Sequence, residues 1–262
     1  MKNIVITGST RGIGLAMAKE FLRAGCNVTI SGRGVQISEA LFKELDRYVN
    51  KYHYVMCNVQ NAIELENLWQ AAVTKWGSID IWINNAGQNS PHEYCCETSP
   101  AAVDAIIDTN IKGMIYGSQL AAKMMQAQGK GQIWNMEGLG SNDMIQAKTI
   151  LYGTTKRALT YFTKALAKEL QGTAVQAGRL SPGMMLTDFI TKSPDGSESA
   201  VIKDKNFKFI FNLLGDKPET VAAFFVPRIL KNTKNDAQLV WLTNVKIVWR
   251  FLASPFVKRK LL

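Results

Sequence analysis

The chain has 262 residues, 47% hydrophobic and 20% charged, with a formal net charge of +10. That length gives one large α/β domain or two small ones with a sizeable core, and the balance is that of a soluble globular chain. No apolar stretch approaches the ~18 residues of a membrane span, and no arginine-rich arm or helix-turn-helix signature accompanies the charge, so neither an integral membrane protein nor a nucleic-acid binder is expected. The apolar run Ile4-Val5-Ile6 begins so near Met1 that no signal or transit peptide is expected ahead of it. Cys26, Cys57, Cys95 and Cys96 have neither metal-site spacing nor the density of a disulfide scaffold, and His53 and His92 stand far apart. Reduced thiols and no metal centre are the expectation.

Short apolar runs alternate with amphipathic segments through the first half. Strands are expected at residues 2–7, 27–31, 52–57 and 79–83, with helices at 12–24, 39–49 and 62–76 between them. Residues 102–128 form one long helix or two. A strand at 131–136, a helix at 151–170 and a strand at 173–180 follow, then a mixed excursion at 184–216. A helix opens at Pro218, a last strand covers 238–242, and the rest is a tail. The βαβ rhythm implies right-handed crossovers and one doubly wound, mostly parallel sheet with helices on both faces. The expected layout is a single α/β domain over residues 1–243, including a lid insertion at about 184–216, and an amphipathic helical and basic tail at 244–262.

Thr7-Gly8-Ser9-Thr10-Arg11-Gly12-Ile13-Gly14 lies between the first strand and the first helix. Glycine permits the tight turn and the close approach of a pyrophosphate, and the helix start supplies N–H groups to the anion, so a dinucleotide of the Rossmann type is expected here. The second strand ends Ser31-Gly32-Arg33 with no acidic residue to engage an unphosphorylated ribose. Arg33 and Arg11 suit a 2′-phosphate, which favours NADPH/NADP+. Asn58, followed by Val59 after the third strand, is placed for the adenine edge. Asn84-Asn85-Ala86-Gly87 ends the fourth strand at the edge where ligands bind in such sheets, although Asn85 also fits a purely structural turn.

Tyr152 and Lys156 stand four apart in Tyr152-Gly153-Thr154-Thr155-Lys156 and can share a helical face. A phenol whose pKa is lowered by a nearby ammonium can give the proton that a carbonyl oxygen needs when hydride is added to its carbon. Lys156 could also hold the nicotinamide ribose. Asn110, polar within an apolar helical pattern, could disturb the helix and hold a water linking Lys156 to solvent; the alternative is a buried asparagine capping a kink. Pro182-Gly183 could floor the nicotinamide, and Thr187 could bond to its carboxamide. Phe207, Phe209, Phe211 and Leu214 in the excursion could cover a large apolar substrate or serve only in helix packing. Trp249-Arg250-Phe251-Leu252 and the run from Phe256 to Leu261 combine aromatics with cations. Contact with an anionic membrane surface, a subunit contact and a fraying end all fit that tail.

These elements, in this order, resemble the short-chain dehydrogenase/reductase family across nearly the whole chain. The resemblance implies a homodimer or homotetramer that transfers hydride between a nicotinamide and a carbonyl or alcohol. The phrases from Ile79 to Gly87, Asn135 to Ser141, Tyr152 to Arg157 and Leu180 to Met184, with the long continuation after Gln238, look most like the chlorophyll(ide) b reductases. That subgroup implies reduction of the C7 formyl group of chlorophyll b or chlorophyllide b by NADPH. It also implies a place in the cytoplasm or on the stromal side, peripheral to a photosynthetic (thylakoid) membrane. Another bulky hydrophobic carbonyl, or nucleotide and pigment binding without catalysis, are the alternatives. The wider family's catalytic serine falls near Gly138, where this chain has no hydroxyl, a departure the subgroup shares. Ser141, three residues on, or a backbone N–H of the loop is the expected substitute.

Overall fold

The computed structural model describes residues 1–192, 196–257 and 259–262. Ser193-Pro194-Asp195 of the polar stretch and Lys258 of the tail lie outside the described residues. In chain order the elements begin β1 Asn3–Ile6, α1 Gly12–Arg23, β2 Asn27–Gly32, α2 Glu39–Leu45, β3 Tyr52–Met56, α3 Ala62–Trp76 and β4 Ile81–Asn84. Next come α4 Pro100–Ile107, a π-helical turn Asp108–Lys112, α5 Gly113–Gln128, β5 Gly131–Met136, α6 Ile150–Glu169 and β6 Val175–Ser181. The chain closes with α7 Asp188–Thr191, α8 Lys205–Leu214, α9 Pro218–Lys231, β7 Ala237–Val240 and α10 Asn244–Ala253.

One parallel sheet runs β3-β2-β1-β4-β5-β6-β7. Helices cover both faces, so central strands are buried on both sides and read as continuous apolar runs rather than alternating ones. Every residue of β1, β4 and β5 is buried. On one face α1 and α9 pack Met17, Phe21, Val221 and Phe225 against Ile4, Ile6 and Trp134. On the other, α3 and α5 bring Leu65, Trp69, Ala121 and Met125 onto Val5, Trp82 and Ile133. The strand order reverses between β1 and β4, which opens the ligand crevice beyond their carboxyl ends. The glycine-rich turn leaves β1 there, and Asn85-Ala86-Gly87 leaves β4.

Two helices differ from expectation. The helix expected at 39–49 stops at Leu45 and tightens into a 3₁₀ turn, Asp46–Tyr48. Residues 102–128 are interrupted by the π-helical turn, with Asn110 buried inside it. The tail is helical and basic, as expected. α10 is capped by the Thr243 side chain accepting from Lys246 N–H, and Arg250 on it and Arg259 beyond it point inward. Arg250 bonds both carboxylate oxygens of Asp216 (3.0 and 2.8 Å) and the Leu214 carbonyl (2.8 Å). Arg259 bonds Asp216 (2.7 Å) and the carbonyls of Leu213 and Gly215 (2.6 and 2.8 Å). Asp216 in turn pairs with the start of the excursion, its carbonyl accepting from Leu186 N–H and its N–H donating to Met184 (3.0 Å each).

Candidate active site

The nucleotide side is built by close packing between two loops. Gly8 has φ +60°, and a side chain there would bring its first carbon 2.8 Å from Ala86 Cα. Both facts demand glycine. Thr7 Oγ1 accepts from the N–H groups of Asn85 and Ala86 (3.0 Å each), while Asn85 Nδ2 donates to the carbonyls of Thr7 and Gly8 (2.9 Å each). Asn85 is therefore the clamp that fixes the turn's shape. Ser9 does not offer its hydroxyl to a ligand: Oγ donates to the Ile6 carbonyl (2.7 Å) and accepts from Ser31 N–H (3.0 Å), with the side chain fully buried. Thr10 packs over Gly32, and Ile13 packs into the core below α1.

Arg11 and Arg33 are exposed beside this turn. Arg11 lies 3.8 Å from Asp188 and Gly12 faces the Thr187 methyl, so α7 sits over the turn. Asn58 accepts from Gln60 N–H (3.3 Å) and donates its own N–H to Glu64 (2.8 Å), while Val59 packs against Gly113. Asn58 and Val59 thus spend these groups on the loop that enters α3. Pro182 is buried and Gly183 is exposed at φ +71°, its α-carbon backed by Leu242. The residues present fit a dinucleotide carrying a 2′-phosphate: a glycine cradle, an α1 start with no acidic residue in its first turn, and two exposed guanidinium groups.

The reacting side converges on α6. Tyr152 and Lys156 are buried, with Lys156 Nζ 5.7 Å from the centre of the Tyr152 ring and donating to the Met136 carbonyl (3.0 Å). The Tyr152 hydroxyl makes no hydrogen bond among the described residues. Asn110 Oδ1 accepts from Gln88 N–H (2.7 Å), and Nδ2 donates to the Gln88 carbonyl (2.9 Å) and Thr155 Oγ1 (3.1 Å). The π-helical turn thus delivers one amide that ties the loop after β4 to α6. A side chain at Gly87 would come 3.8 Å from Lys156 Nζ, which places Gly87, Asn110 and Lys156 together.

Burial raises the Tyr152 phenol and lowers the Lys156 ammonium to about 8, the latter partly offset by the negative charge of Glu137. Desolvation is thus stronger at Tyr152 than the neighbouring ammonium, contrary to the expected lowering, because both groups are buried.

Ser141 does not reach toward Tyr152. Its Oγ accepts from Gly138 N–H (3.2 Å) and donates to the Lys156 carbonyl (3.2 Å), pinning the loop to α6 and using the Gly138 N–H as well. At Gly138 any side chain would overlap Tyr152 Oη, with its first carbon 3.1 Å from Tyr152 Cζ and 3.2 Å from Lys156 Cγ. The phenol fills the space where the wider family's serine is expected.

Two further residues join the site. Phe189 of α7 meets Tyr152 edge-on, ring centres 5.5 Å apart, and its carbonyl accepts from Asn89 Nδ2 (3.0 Å). Glu137, 2% exposed, accepts from Thr160 (3.2 Å) and Gln238 (2.8 Å) and lies 3.9 Å from Arg179. An acidic residue directly after a wholly buried strand was the available hint. Phe211, by contrast, is fully buried in the packing of α8, so it faces no ligand.

A protein-family model for short chain dehydrogenases matches residues 2–198. The chain belongs to the short-chain dehydrogenase family. It is an oxidoreductase of that family. It is similar to the chloroplastic chlorophyll(ide) b reductase NOL of Oryza sativa subsp. japonica, 37% identical over 87% of this chain and 66% of that protein. The corresponding protein of Arabidopsis thaliana is 35% identical over 87% of this chain and 65% of its own length. The chain therefore spans slightly under two thirds of these relatives. Among solved structures, ElxO with NADP bound superposes with a TM-score of 0.80 at 25% identity, covering 94% of this chain and 99% of that one.

Proposed function

We propose that this short-chain dehydrogenase reduces the C7 formyl group of chlorophyll b or chlorophyllide b to the 7-hydroxymethyl form, with NADPH as reductant. The observation that carries the reading is the 37% identity to the rice chlorophyll(ide) b reductase across 87% of the chain. The surroundings of the site support it. Tyr94 in the segment after β4, Met144 and Ile145 in the loop before α6, and Ile150 at the start of α6 are exposed, Ile145 at 93%, an apolar rim suited to a broad apolar substrate. A reductase for another bulky hydrophobic carbonyl draws on the same rim and is the second reading.

Bound NADPH supplies the hydride to the formyl carbon. Tyr152, with its hydroxyl unpaired, donates the proton to the formyl oxygen, so aldehyde, hydride and proton give the primary alcohol. Lys156 keeps positive charge beside the phenolate that this leaves behind. Asn110 and Ser141 act as positioning residues, fixing the Gln88 loop and the Gly138 loop on α6. Arg11 and Arg33 would meet the 2′-phosphate, and the Gly8–Gly14 turn, held in shape by the Asn85 clamp, would receive the pyrophosphate.

The deciding assay is turnover of chlorophyll b and chlorophyllide b with NADPH, with NADH as control. Formation of the 7-hydroxymethyl product, at least about tenfold faster with NADPH, is expected. Reduction of unrelated apolar aldehydes but of neither pigment would establish the second reading. Cofactor binding without turnover of any carbonyl would overturn both.

The charge of Lys156 gives a pH signature. Its ammonium is present below about 8 and lost above it, so activity should decline as pH rises through that value. Glu137 raises the Lys156 pKa, so Glu137→Gln should move the alkaline limb to lower pH by about one unit. Glu137→Asp should recover most of that displacement. Profiles of kcat/KM against pH check this, and an unmoved limb in Glu137→Gln would remove Glu137 from any influence on Lys156.

A further inference from the structure

α10 is turned inside out relative to an ordinary surface helix, which hides its apolar stripe and shows its charges. Here Arg250 is the buried residue, held by Asp216, while Val245 (80% exposed), Val248, Trp249 (64%) and Leu252 (71%) form an outward stripe at positions i, i+3, i+4 and i+7. Phe256 (87%) extends the stripe beyond the helix end, and Phe209 is exposed on the neighbouring α8. Single exposed apolar side chains are ordinary, but a contiguous apolar stripe on a helix anchored from behind is not. Arg250 and Arg259 together fix which face points out, so the exposure is built in.

The C-terminal segment that carries this stripe is basic. Residues 201–262 hold twelve lysines and arginines against four aspartates and glutamates, and no acidic residue follows Asp236. Lys205 and Lys208 on α8 and Lys260 after α10 are exposed. A second copy meeting this face by twofold symmetry would set these lysines against themselves, whereas an anionic surface would be attracted to them. Tryptophan, phenylalanine and aliphatic side chains flanked by lysines match the depth profile of a lipid interface: rings at the headgroup boundary, ammonium groups at the phosphates. No helix among the described residues is long and apolar enough to cross a membrane.

We propose that the outward face of α10, continued by Phe256 and bordered by the lysines of α8, docks this protein on an anionic lipid surface, with the helix lying in the interface. The proposal stands on the surface alone and does not depend on which carbonyl the site reduces. It places the enzyme where an apolar substrate partitions.

The test is co-flotation of the full chain with vesicles of pure phosphatidylcholine and of phosphatidylcholine containing phosphatidylglycerol, with tryptophan emission followed in parallel. Binding to the anionic vesicles, with a blue shift and weakening as salt is raised, is expected. Trp249→Ser/Leu252→Ser should lower that binding at least about tenfold with the fold and NADPH affinity unchanged. Absence of binding to anionic vesicles, or equal binding by the double variant, would overturn the proposal. So would a concentration-dependent dimer that forms through this face and is lost in the double variant.

Discussion

Tyr152→Phe is expected to lower kcat/KM by about 10²–10⁴-fold, the usual worth of a positioned proton donor, without altering the melting temperature. The two halves of that expectation have separate physical causes. The hydroxyl makes no hydrogen bond among the described residues, so its removal breaks no internal contact. The ring remains buried against Phe189, 5.5 Å between centres. Burial also holds the phenol protonated, since desolvation raises its pKa. The proton is thus retained in the resting enzyme and released only when a carbonyl oxygen develops charge beside it. Steady-state kinetics and a thermal melt on the same preparation check both halves. Full activity in the variant would show that the proton comes from elsewhere.

Gly138→Ser carries the second large effect, and its direction runs against intuition. The substitution restores the hydroxyl that the wider family uses, yet it should reduce kcat/KM by about a hundredfold. The β-carbon arrives before the hydroxyl does, and it overlaps Tyr152 Oη. The phenol must move, and a displacement of about 1 Å at a reacting group costs on the order of 10² in rate. Gly138→Ala should lose activity to the same extent, which separates the crowding from any chemistry of the new hydroxyl. Serine performing as well as glycine would show that Tyr152 works from a different rotamer. The result bears on evolution of the site: glycine and the tyrosine position here are one choice, not two.

The framework of the site was legible because its signals are local. Alternating apolar runs announce the strands of a parallel sheet, Gly8 and Gly12 take backbone conformations that favour glycine, and a polar Asn110 in an apolar helix marks the π-helical turn. What stayed hidden depends on contacts between distant segments. Ser9 looks like a phosphate ligand until Ile6 and Ser31 are seen to use its hydroxyl. Ser141 looks available for catalysis until the Lys156 carbonyl and Gly138 N–H are seen to hold it. Phe189 carries no pattern that would assign it to Tyr152. In the tail, the sequence leaves three roles open because the deciding contact is remote: the buried carboxylate of Asp216 draws Arg250 and Arg259 inward and leaves the aromatics outside. A single partner far from the helix in sequence sets which of its faces is buried.

Asp216 also ties the excursion to the tail. Its backbone fastens Met184 and Leu186, its side chain fastens Arg250, Arg259 and the Trp241 indole, and both ends of the intervening loop are thereby tethered. Phe189, edge-on against Tyr152, sits just past that tether. One carboxylate therefore serves as the common fastening of two surfaces that face different tasks: the segment laid against the reacting tyrosine and the helix whose aromatics look outward.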